Sequence, residues 1–336
     1  MVDAMGGDHA PAAVVEGAVQ AARELPSVEV ALCGQRAIVE PEVSRHDVAS
    51  LALHVIDAPD VVSMDDSPVE ALRRKKKSSL HVGAGLVRDG KAHGLVSAGN
   101  TGAVMTIYKV LVGTLPEVDR PALAACVPTA RGTTVLLDVG ANVSVRPSHL
   151  QQFAVMGHFY SQLVLGVASP RVGILSVGEE EGKGNELTRE VYDVLKASSL
   201  NFVGNVEGRD IFNGNADVIV TDGFTGNVAL KVSESVVEAI AVTLEKGARE
   251  AMAAGPEAAA EAKAALAAFG RTMKKFDYAE HGGAPLLGVR GSCIVCHGRS
   301  SAKAIKNGIR VAAEYATNQV GARIEAELLA MKALKA

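Results

Sequence analysis

Two short motifs with the pattern Gly-x-Thr-Gly-x-Val occur in the sequence, and both carry side chains suited to binding an anion. Gly99-Asn100-Thr101-Gly102 follows one apolar run, and Asp222 with Gly223-Phe224-Thr225-Gly226-Asn227 follows another. At a strand-to-helix junction, glycines let the backbone approach a ligand, and the free amide groups of the helix start attract negative charge. We therefore predict that the two motifs bind phosphate together. The alternative is that each only caps a helix.

A third polar loop follows the apolar run Val135-Leu136-Leu137, and it reads Asp138-Val139-Gly140-Ala141-Asn142. A carboxylate, a glycine and an amide after a strand are expected where α/β enzymes place their active sites. We predict a catalytic role for Asp138 and substrate binding by Asn142. A local turn capped by Asp138 remains the alternative.

Lysine stands between two glycines in Gly182-Lys183-Gly184-Asn185. This segment resembles part of a P-loop, but its spacing from Gly178 is wrong and no Ser or Thr follows the lysine, which excludes nucleotide hydrolysis. A mobile lysine can still reach a phosphate or a developing oxyanion. We therefore predict catalytic roles for Lys183 and Asn185, against the alternative of a solvated surface loop.

The segment Cys293-Ile294-Val295-Cys296-His297 matches the pattern of c-type haem attachment. Haem attachment belongs to exported proteins, and zinc would need a second ligand pair that Cys33 and Cys126 do not provide by their spacing. We therefore predict no metal and no cofactor. His297, at the end of an apparent strand, is predicted to act as a donor or general acid, unless it is a structural histidine.

A dense cationic run, Arg73-Arg74-Lys75-Lys76-Lys77, follows an apparent helix. Such a run attracts an acidic protein partner, although a solvated helix end has the same composition. The whole chain has a formal net charge of −4. Nucleic-acid binding is not expected, because it usually requires a basic domain.

Short apolar runs alternate with segments of helical periodicity along the 336 residues. This alternation predicts an α/β fold of three layers, with a mostly parallel sheet covered by helices on both faces. Helices are predicted at Ala12–Leu25 and Glu186–Leu195. Strands are predicted at Val28–Leu32, Leu53–Ile56, Gly94–Val96, Val135–Leu137, Val172–Val177 and Val218–Val220.

Residues 233–271 are rich in Ala, Glu and Lys, and only Gly255-Pro256 interrupts them. We predict a projecting hairpin of two helices there, within a single α/β domain of residues 1–336. Residues 147–170 carry no charged residue but many polar ones, which predicts a buried helix rather than a membrane span. The first residues show no secretion signal, so a cytoplasmic location is expected.

The sequence resembles the bacterial phosphate acyltransferase family along nearly its whole length. The resemblance depends on seven segments that occur in order: Val2–Pro11, Arg73–Lys76, Ser97–Ala103, Asp119–Leu123, Asp138–Asn142, Lys183–Thr188 and Thr221–Val228. It implies a fold like those of isopropylmalate dehydrogenases and phosphate acetyltransferases, and a homodimer without metal. The implied reaction transfers the acyl group of acyl-[acyl carrier protein] to inorganic phosphate, for phospholipid synthesis.

The resemblance also implies that a membrane glycerol-3-phosphate acyltransferase consumes the acyl phosphate, and that Arg73, Arg74, Lys75 and Lys76 dock the carrier protein. Family members carry more apolar residues before the Asp-Ala-Met-Gly-Gly segment, so a short first strand is expected here. Their hairpin has an apolar tip, whereas residues 251–268 here are mostly alanine. Only weak peripheral contact with the inner membrane face is therefore expected.

These observations lead to the hypothesis that bound phosphate attacks the thioester carbonyl directly, without a covalent enzyme intermediate. Three alternatives remain open: a phosphotransacylase acting on acyl-CoA, an NAD-linked decarboxylating dehydrogenase of the same fold, and a non-catalytic regulator that binds acyl carrier protein. An assay of turnover separates the last from the others. The sequence does not give the acyl-chain preference.

Overall fold

The computed structural model describes residues 1–253, 255–273 and 278–333. Within these residues the strands are β1 (Val2–Asp3), β2 (Val30–Gly34), β3 (Leu53–Asp57), β4 (Gly94–Ser97), β5 (Ala122–Pro128), β6 (Thr133–Leu137), β7 (Val172–Leu175), β8 (Phe202–Val206), β9 (Val218–Val220), β10 (Ala284–Leu287) and β11 (Ser292–Val295). The six predicted strands are all present, with ends shifted by a few residues. The first strand is short, as expected.

The helices alternate with these strands over most of the chain. They are α1 (Ala12–Glu24), α2 (Arg36–Val43), α3 (Pro68–Arg74), α4 (Ser79–Arg88), α5 (Thr101–Leu111), α6 (Pro147–Leu163), α7 (Glu186–Lys196), α8 (Asp210–Asn213), α9 (Gly223–Ala253), α10 (Pro256–Met273), α11 (Tyr278–His281), α12 (Ala302–Thr317) and α13 (Val320–Ala333). The predicted helices α1, α6 and α7 are confirmed. None of the described helices is long and apolar enough to cross a bilayer.

The sheet is mostly parallel, as predicted, and among the described strands its order is β3-β2-β1-β4-β11-β10-β5-β6-β9-β7-β8. One parallel group comprises β1 to β4 with β11, and the other comprises β6 to β9. The pairs β11–β10, β10–β5 and β5–β6 are each antiparallel. Three reversals in succession make the two parallel groups run in opposite senses.

Helices cover each face of the sheet. Successive side chains of a strand point to opposite faces, so a strand contributes to the core on each side. On β5, Leu123, Ala125 and Val127 belong to a core shared with α4 and α5. Ala122 and Ala124 belong to the core on the other face, which includes α1, α6, α12 and α13. The three-layer α/β architecture is therefore confirmed.

The long helix α9 begins at Gly223, ten residues before the predicted hairpin, so its first turns belong to the sheet region. There it packs on β5 and β6. Beyond that, α9 and α10 pack against one another. Among the described residues α9 extends to Ala253 and α10 begins at Pro256, so the break lies where the Gly-Pro pair predicted it. The division into a single domain with residues 233–271 as a projecting hairpin stays a prediction.

Candidate functional site

A cavity of about 390 Å³ lies on the sheet face that carries α5 and α9. Thr101 at the start of α5 lines one side of it, and Asn227 in the second turn of α9 lines the other. The loop after β11 adds His297, and the loop after β6 adds Gly140. The cavity thus draws residues from both parallel groups of the sheet, since Thr101 follows β4 and Gly140 follows β6.

The first predicted phosphate loop is held by Asn100, which has two structural roles. Its Oδ1 accepts a hydrogen bond from the Ala103 amide at 3.0 Å and so caps α5. Its Nδ2 donates to the carbonyl oxygens of Met64 and Asp66, at 2.8 and 2.9 Å. Asn100 therefore fixes the loop, and it is Thr101 whose side chain is exposed at the cavity.

Glycine is required at Gly6 and Gly102 by close neighbours. A Cβ at Gly102 would lie 2.8 Å from Cγ of Pro68 in α3. A Cβ at Gly6, in the loop after β1, would lie 2.7 Å from the amide nitrogen of Gly99. The loops after β1 and β4 are therefore packed backbone to backbone.

Asp3 was not predicted as a functional residue, although it precedes the Ala-Met-Gly-Gly segment at the end of β1. It is 2% exposed, and the Ser97 hydroxyl donates to its Oδ2 at 2.6 Å. The Gly99 amide donates in turn to Ser97 Oγ at 3.0 Å. Burial raises the pKa of Asp3, and hydrogen bonds from Ser79 and Ser97 oppose that rise. Asp3 thus supports the loop after β4 through Ser97.

Asp138 is fully buried and accepts five hydrogen bonds. Its Oδ1 accepts from the amides of Leu123, Gly140 and Ala141, at 3.0, 3.2 and 3.0 Å. Its Oδ2 accepts from the Asn142 amide at 2.6 Å and from Asn142 Nδ2 at 2.9 Å. Burial raises the pKa of Asp138, and these donors oppose that rise. The geometry fits the capped-turn alternative, with the carboxylate shaping the loop.

The loop after β9, which is the second predicted phosphate loop, is tied to the Asp138 loop by its glycines. A Cβ at Gly223 would lie 2.7 Å from the Asn142 carbonyl oxygen, and one at Gly226 would overlap the Asp138 carbonyl oxygen. Asn142 Nδ2 also donates to the Pro121 carbonyl oxygen at 2.8 Å. These contacts make the loops after β6 and β9 a single packed unit.

Asp222 caps α9, since its Oδ1 accepts from the amides of Phe224 and Thr225 at 3.0 and 2.9 Å. The Thr225 hydroxyl donates to Asp222 Oδ2 at 2.8 Å. Asp222 and Thr225 are therefore bonded to each other. Asn227 is the residue of this motif that lines the cavity.

Lys183 and Asn185 lie on an exposed loop between β7 and α7, outside the lining of the cavity. The Lys183 amide donates to the Glu180 carbonyl oxygen at 2.9 Å. Asn185 caps α7, because its Oδ1 accepts from the Thr188 amide at 2.9 Å. Since β7 is paired in parallel with β9, this loop leaves the same edge of the sheet as the Asp222 loop.

His297 is exposed and lines the cavity. Its Nδ1 accepts a hydrogen bond from the Arg299 amide at 3.1 Å, so a neutral imidazole carries its proton on Nε2.

The two cysteines of the same segment are buried thiols. Burial raises the pKa of Cys296 to about 12, and it also raises the pKa of Cys293. Within the described ranges no three His, Cys, Asp or Glu side chains are grouped to hold a metal ion.

Lys231 and Glu234 line the cavity from α9 and were missed in the sequence. Their side chains form an ion pair of 2.7 Å between Nζ and Oε2. With Asn227 and Leu230 they follow the spacing i, i+3, i+4, i+7, which is one face of a helix. The spacing could be read from the sequence. That this helix face borders the cavity could not, because it depends on α9 beginning at Gly223 and packing on the sheet.

The cationic run lies at the end of α3 and just beyond it. Arg74 pairs with Glu70 at 3.4 Å, and Lys75 is half-buried, where it bonds to Asp66 and donates to the Val61 carbonyl oxygen at 2.8 Å. Arg73 and Lys76 are exposed and have no ion-pair partner in the part of the chain that the structure describes. We therefore restrict the residues predicted to dock an acidic partner to Arg73, Lys76 and the adjacent Lys77.

Comparison with known proteins gives consistent results over nearly the whole chain. The family described as fatty acid synthesis protein matches residues 1–323. A phosphate acyltransferase of Acidobacterium capsulatum is 50% identical over 330 residues, covering 98% of this chain and 96% of that protein. The phosphate acyltransferase of Aquifex aeolicus is 49% identical over 316 residues, covering 94% and 92%.

Solved structures share the fold at low sequence identity. A phosphotransacetylase from Streptococcus pyogenes superposes with a TM-score of 0.60 at 16% identity, covering 90% of this chain and 91% of that one. The EutD phosphotransacetylase from Staphylococcus aureus gives a TM-score of 0.58 at 16% identity, covering 93% and 96%. The expected fold, like that of phosphate acetyltransferases, is thereby confirmed.

Proposed function

The chain belongs to the phosphate acyltransferase family, and from that premise we propose that it transfers the acyl group of acyl-[acyl carrier protein] to inorganic phosphate. That it is an acyltransferase follows from the family. The carrier-bound donor, the residues that act and the partners are the proposed part. The observation that supports them most strongly is the cavity that joins Thr101, Asn227, Lys231 and His297.

Phosphate binds in this scheme at the start of α5, beside Thr101. The first amide groups of α5 and the dipole of the helix favour an anion there. Asn227 and the ammonium group of Lys231 contribute from α9, on the opposite wall. Lys183 approaches from the loop beyond β7 as a mobile charge, and Asn185 positions that loop by capping α7.

The reaction is a direct displacement at the thioester carbonyl. An oxygen of phosphate forms a bond to the carbonyl carbon, and the carbon–sulfur bond breaks as the tetrahedral intermediate collapses. His297 donates a hydrogen bond from Nε2 to the oxyanion. The proton that hydrogen phosphate loses as its oxygen is acylated passes to the departing sulfur, so the carrier leaves as a thiol. Asp138 takes part through the loop that it shapes, because its oxygens are occupied by five donors.

Three partner assignments complete the proposal. Arg73, Lys76 and Lys77 form the docking patch for the acidic carrier protein, from α3, whose first residue Pro68 contacts the start of α5. The acyl phosphate passes to a membrane glycerol-3-phosphate acyltransferase. The reaction is placed in the cytoplasm, with weak contact between the alanine-rich hairpin and the inner membrane face.

A homodimer is proposed on the basis of one exposed ridge of α9. Six apolar side chains recur at every fourth residue and are 41–62% exposed: Phe224, Val228, Val232, Val236, Ile240 and Leu244. Residues four apart are neighbours on a helix surface, so the six side chains form a continuous apolar ridge that winds slowly about the axis of α9. Burial of this ridge against a second copy removes it from water. Light scattering on the wild-type protein and on Val232→Lys tests this assignment.

The deciding experiment measures release of the carrier thiol from palmitoyl-[acyl carrier protein] with and without phosphate, and traps acyl phosphate with hydroxylamine. We expect thiol release to require phosphate. Lys183→Ala and Lys231→Ala are compared with Lys91→Ala, an exposed lysine at the other end of β4. A loss of about 100-fold in kcat/KM is expected for a lysine that contacts phosphate in the transition state.

Each other outcome identifies an alternative. Turnover of palmitoyl-CoA but not of the carrier-bound thioester would make the enzyme a phosphotransacylase acting on acyl-CoA. Binding of the carrier without turnover of either donor would make it a regulator. Equal activity of Lys183→Ala and Lys91→Ala would remove Lys183 from the site and leave Lys231 as the phosphate-binding lysine.

A further inference from the structure

The floor of the cavity is a row of small and apolar side chains on three neighbouring strands. Ala284 of β10 is opposite Val295 of β11. The register between β10 and β5 places Leu286 opposite Leu123, and its continuation places Ala284 opposite Ala125. Ala125, Ala284 and Val295 therefore share one face of the sheet, and all three line the cavity together with Leu123.

Two of these floor residues, Ala125 and Ala284, are small enough to leave room above the sheet. A sheet face under helices is normally filled to the density of an organic crystal. Here the side chains of Ala125 and Ala284 stop at Cβ, and Leu230 of α9 forms the apolar wall opposite. The phosphate-binding groups Thr101, Asn227 and Lys231 lie at the rim. One end of the cavity thus suits an anion, and the floor suits a hydrocarbon.

The volume limits how much hydrocarbon the floor accepts. An apolar cavity of about 150 Å³ holds benzene, which is about 25 Å³ for each carbon. At that ratio the cavity of about 390 Å³ holds about fifteen non-hydrogen atoms. Phosphate takes five of them, so about ten remain for the acyl chain. The cavity therefore encloses the part of a long chain next to the carbonyl, and the remainder leaves it.

We propose that the acyl chain of the substrate binds along this floor, and that Ala125 and Ala284 set the number of carbons enclosed. The proposal depends on the proposed function, since it assigns the chain end of the same site. Leucine at position 284 adds three carbons to the floor, or about 75 Å³ at the same ratio, and should exclude about three methylenes. Each methylene kept from the cavity weakens binding about fourfold.

The test measures binding of alkylphosphonates of increasing chain length by isothermal titration calorimetry, which requires no turnover. For the wild type we expect Kd to fall about fourfold per added methylene until the floor is filled, and then to level off. For Ala284→Leu the levelling should come about three carbons earlier. For Leu123→Ala, which removes three carbons from the floor, it should come later. Ala12→Leu, on the exposed surface of α1, is the control and should match the wild type.

Failure of the inference differs from failure of the proposed function. Chain-length profiles that coincide for the wild type, Ala284→Leu and Leu123→Ala would overturn the inference, even if thiol release from palmitoyl-[acyl carrier protein] proved phosphate-dependent. Displaced profiles without any turnover would keep the hydrocarbon floor and refute the proposed reaction. If Ala284→Leu does not fold, the opposite displacement in Leu123→Ala decides the matter alone.

Discussion

Replacing Glu234 by glutamine should strengthen the binding of phosphate. The carboxylate lines the cavity and holds the ammonium group of Lys231 at 2.7 Å. In the proposed site of the wild type, phosphate competes with Glu234 for that cation and is also repelled by the carboxylate. Glu234→Gln removes both effects while keeping the size of the side chain. It changes the formal net charge of the chain from −4 to −3, because one of its negative charges is lost.

The size of the effect follows from the exposure of the pair. The side chains of Lys231 and Glu234 are 56% and 46% exposed, so water screens most of the Coulomb energy. A phosphate dianion several ångströms from a carboxylate in such surroundings is repelled by on the order of 1 kcal/mol. That energy corresponds to a KM for phosphate about fivefold lower in the variant. The difference should shrink at about 1 M salt, where the screening length falls to about 3 Å.

The assay is hydroxylamine-trapped acyl phosphate at saturating acyl donor and varied phosphate, at low and high ionic strength. Glu238→Gln is the matched control, because Glu238 is exposed one turn further along α9 and does not line the cavity. An equal decrease of the KM for phosphate in Glu234→Gln and Glu238→Gln would refute the reasoning, since the effect would then come from net charge alone. An unchanged KM in Glu234→Gln would place phosphate away from this wall of the cavity.

Three further predictions follow from the buried carboxylates and the cationic patch. Asp138→Asn should lower the free energy of unfolding by about 2–4 kcal/mol in urea titrations, because an amide cannot accept all five hydrogen bonds; a loss below about 1 kcal/mol would contradict this. Burial raises the pKa of Asp3 in the folded protein above its ordinary value of 3.8. Protonated Asp3 therefore contributes to stability below about pH 4, and this contribution is lost as the pH rises through the folded-state pKa. Relative to Asp3→Asn, the wild type should therefore lose stability from about pH 4 upward, and a pH-independent difference would be the contrary result. Charge reversal of Arg73 and Lys76 should raise the KM for the acyl carrier protein by roughly tenfold at low salt and leave the KM for phosphate unchanged; an effect that persists at about 1 M salt would argue against electrostatic docking.

Local sequence patterns were sufficient for most of the elements. Six strands were predicted from apolar runs, and the break between α9 and α10 from Gly255-Pro256. These features depend on residues close in sequence, since apolar periodicity selects the buried face and a proline ends a helix. The chemistry-bearing loops could be identified for the same reason, because glycine, asparagine and aspartate beside a strand end are local signals.

Individual roles within those loops were not accessible from the sequence. Asn100 and Asp138 have the residue types of a binding site, yet their polar atoms are used by the Ala103 amide and by the loop after β6. Asp3 has a supporting role because the β1–β4 pairing brings Ser97 beside it, across 94 positions of sequence. A polar side chain is free for a ligand only when its neighbours leave it so, and those neighbours are distant in sequence.

By itself, the sequence determined the α/β class, the family and which loops carry polar groups, because periodicity, glycine positions and motif order are properties of the chain. Only the tertiary structure decided that antiparallel β10 and β5 lie between the two parallel groups and that the start of α9 packs on β5 and β6. It thereby brought Lys231 and Thr101 into the lining of one cavity and left Ala125 and Ala284 as its floor. Strand order and direction depend on pairing between distant segments, which no local pattern of side chains encodes.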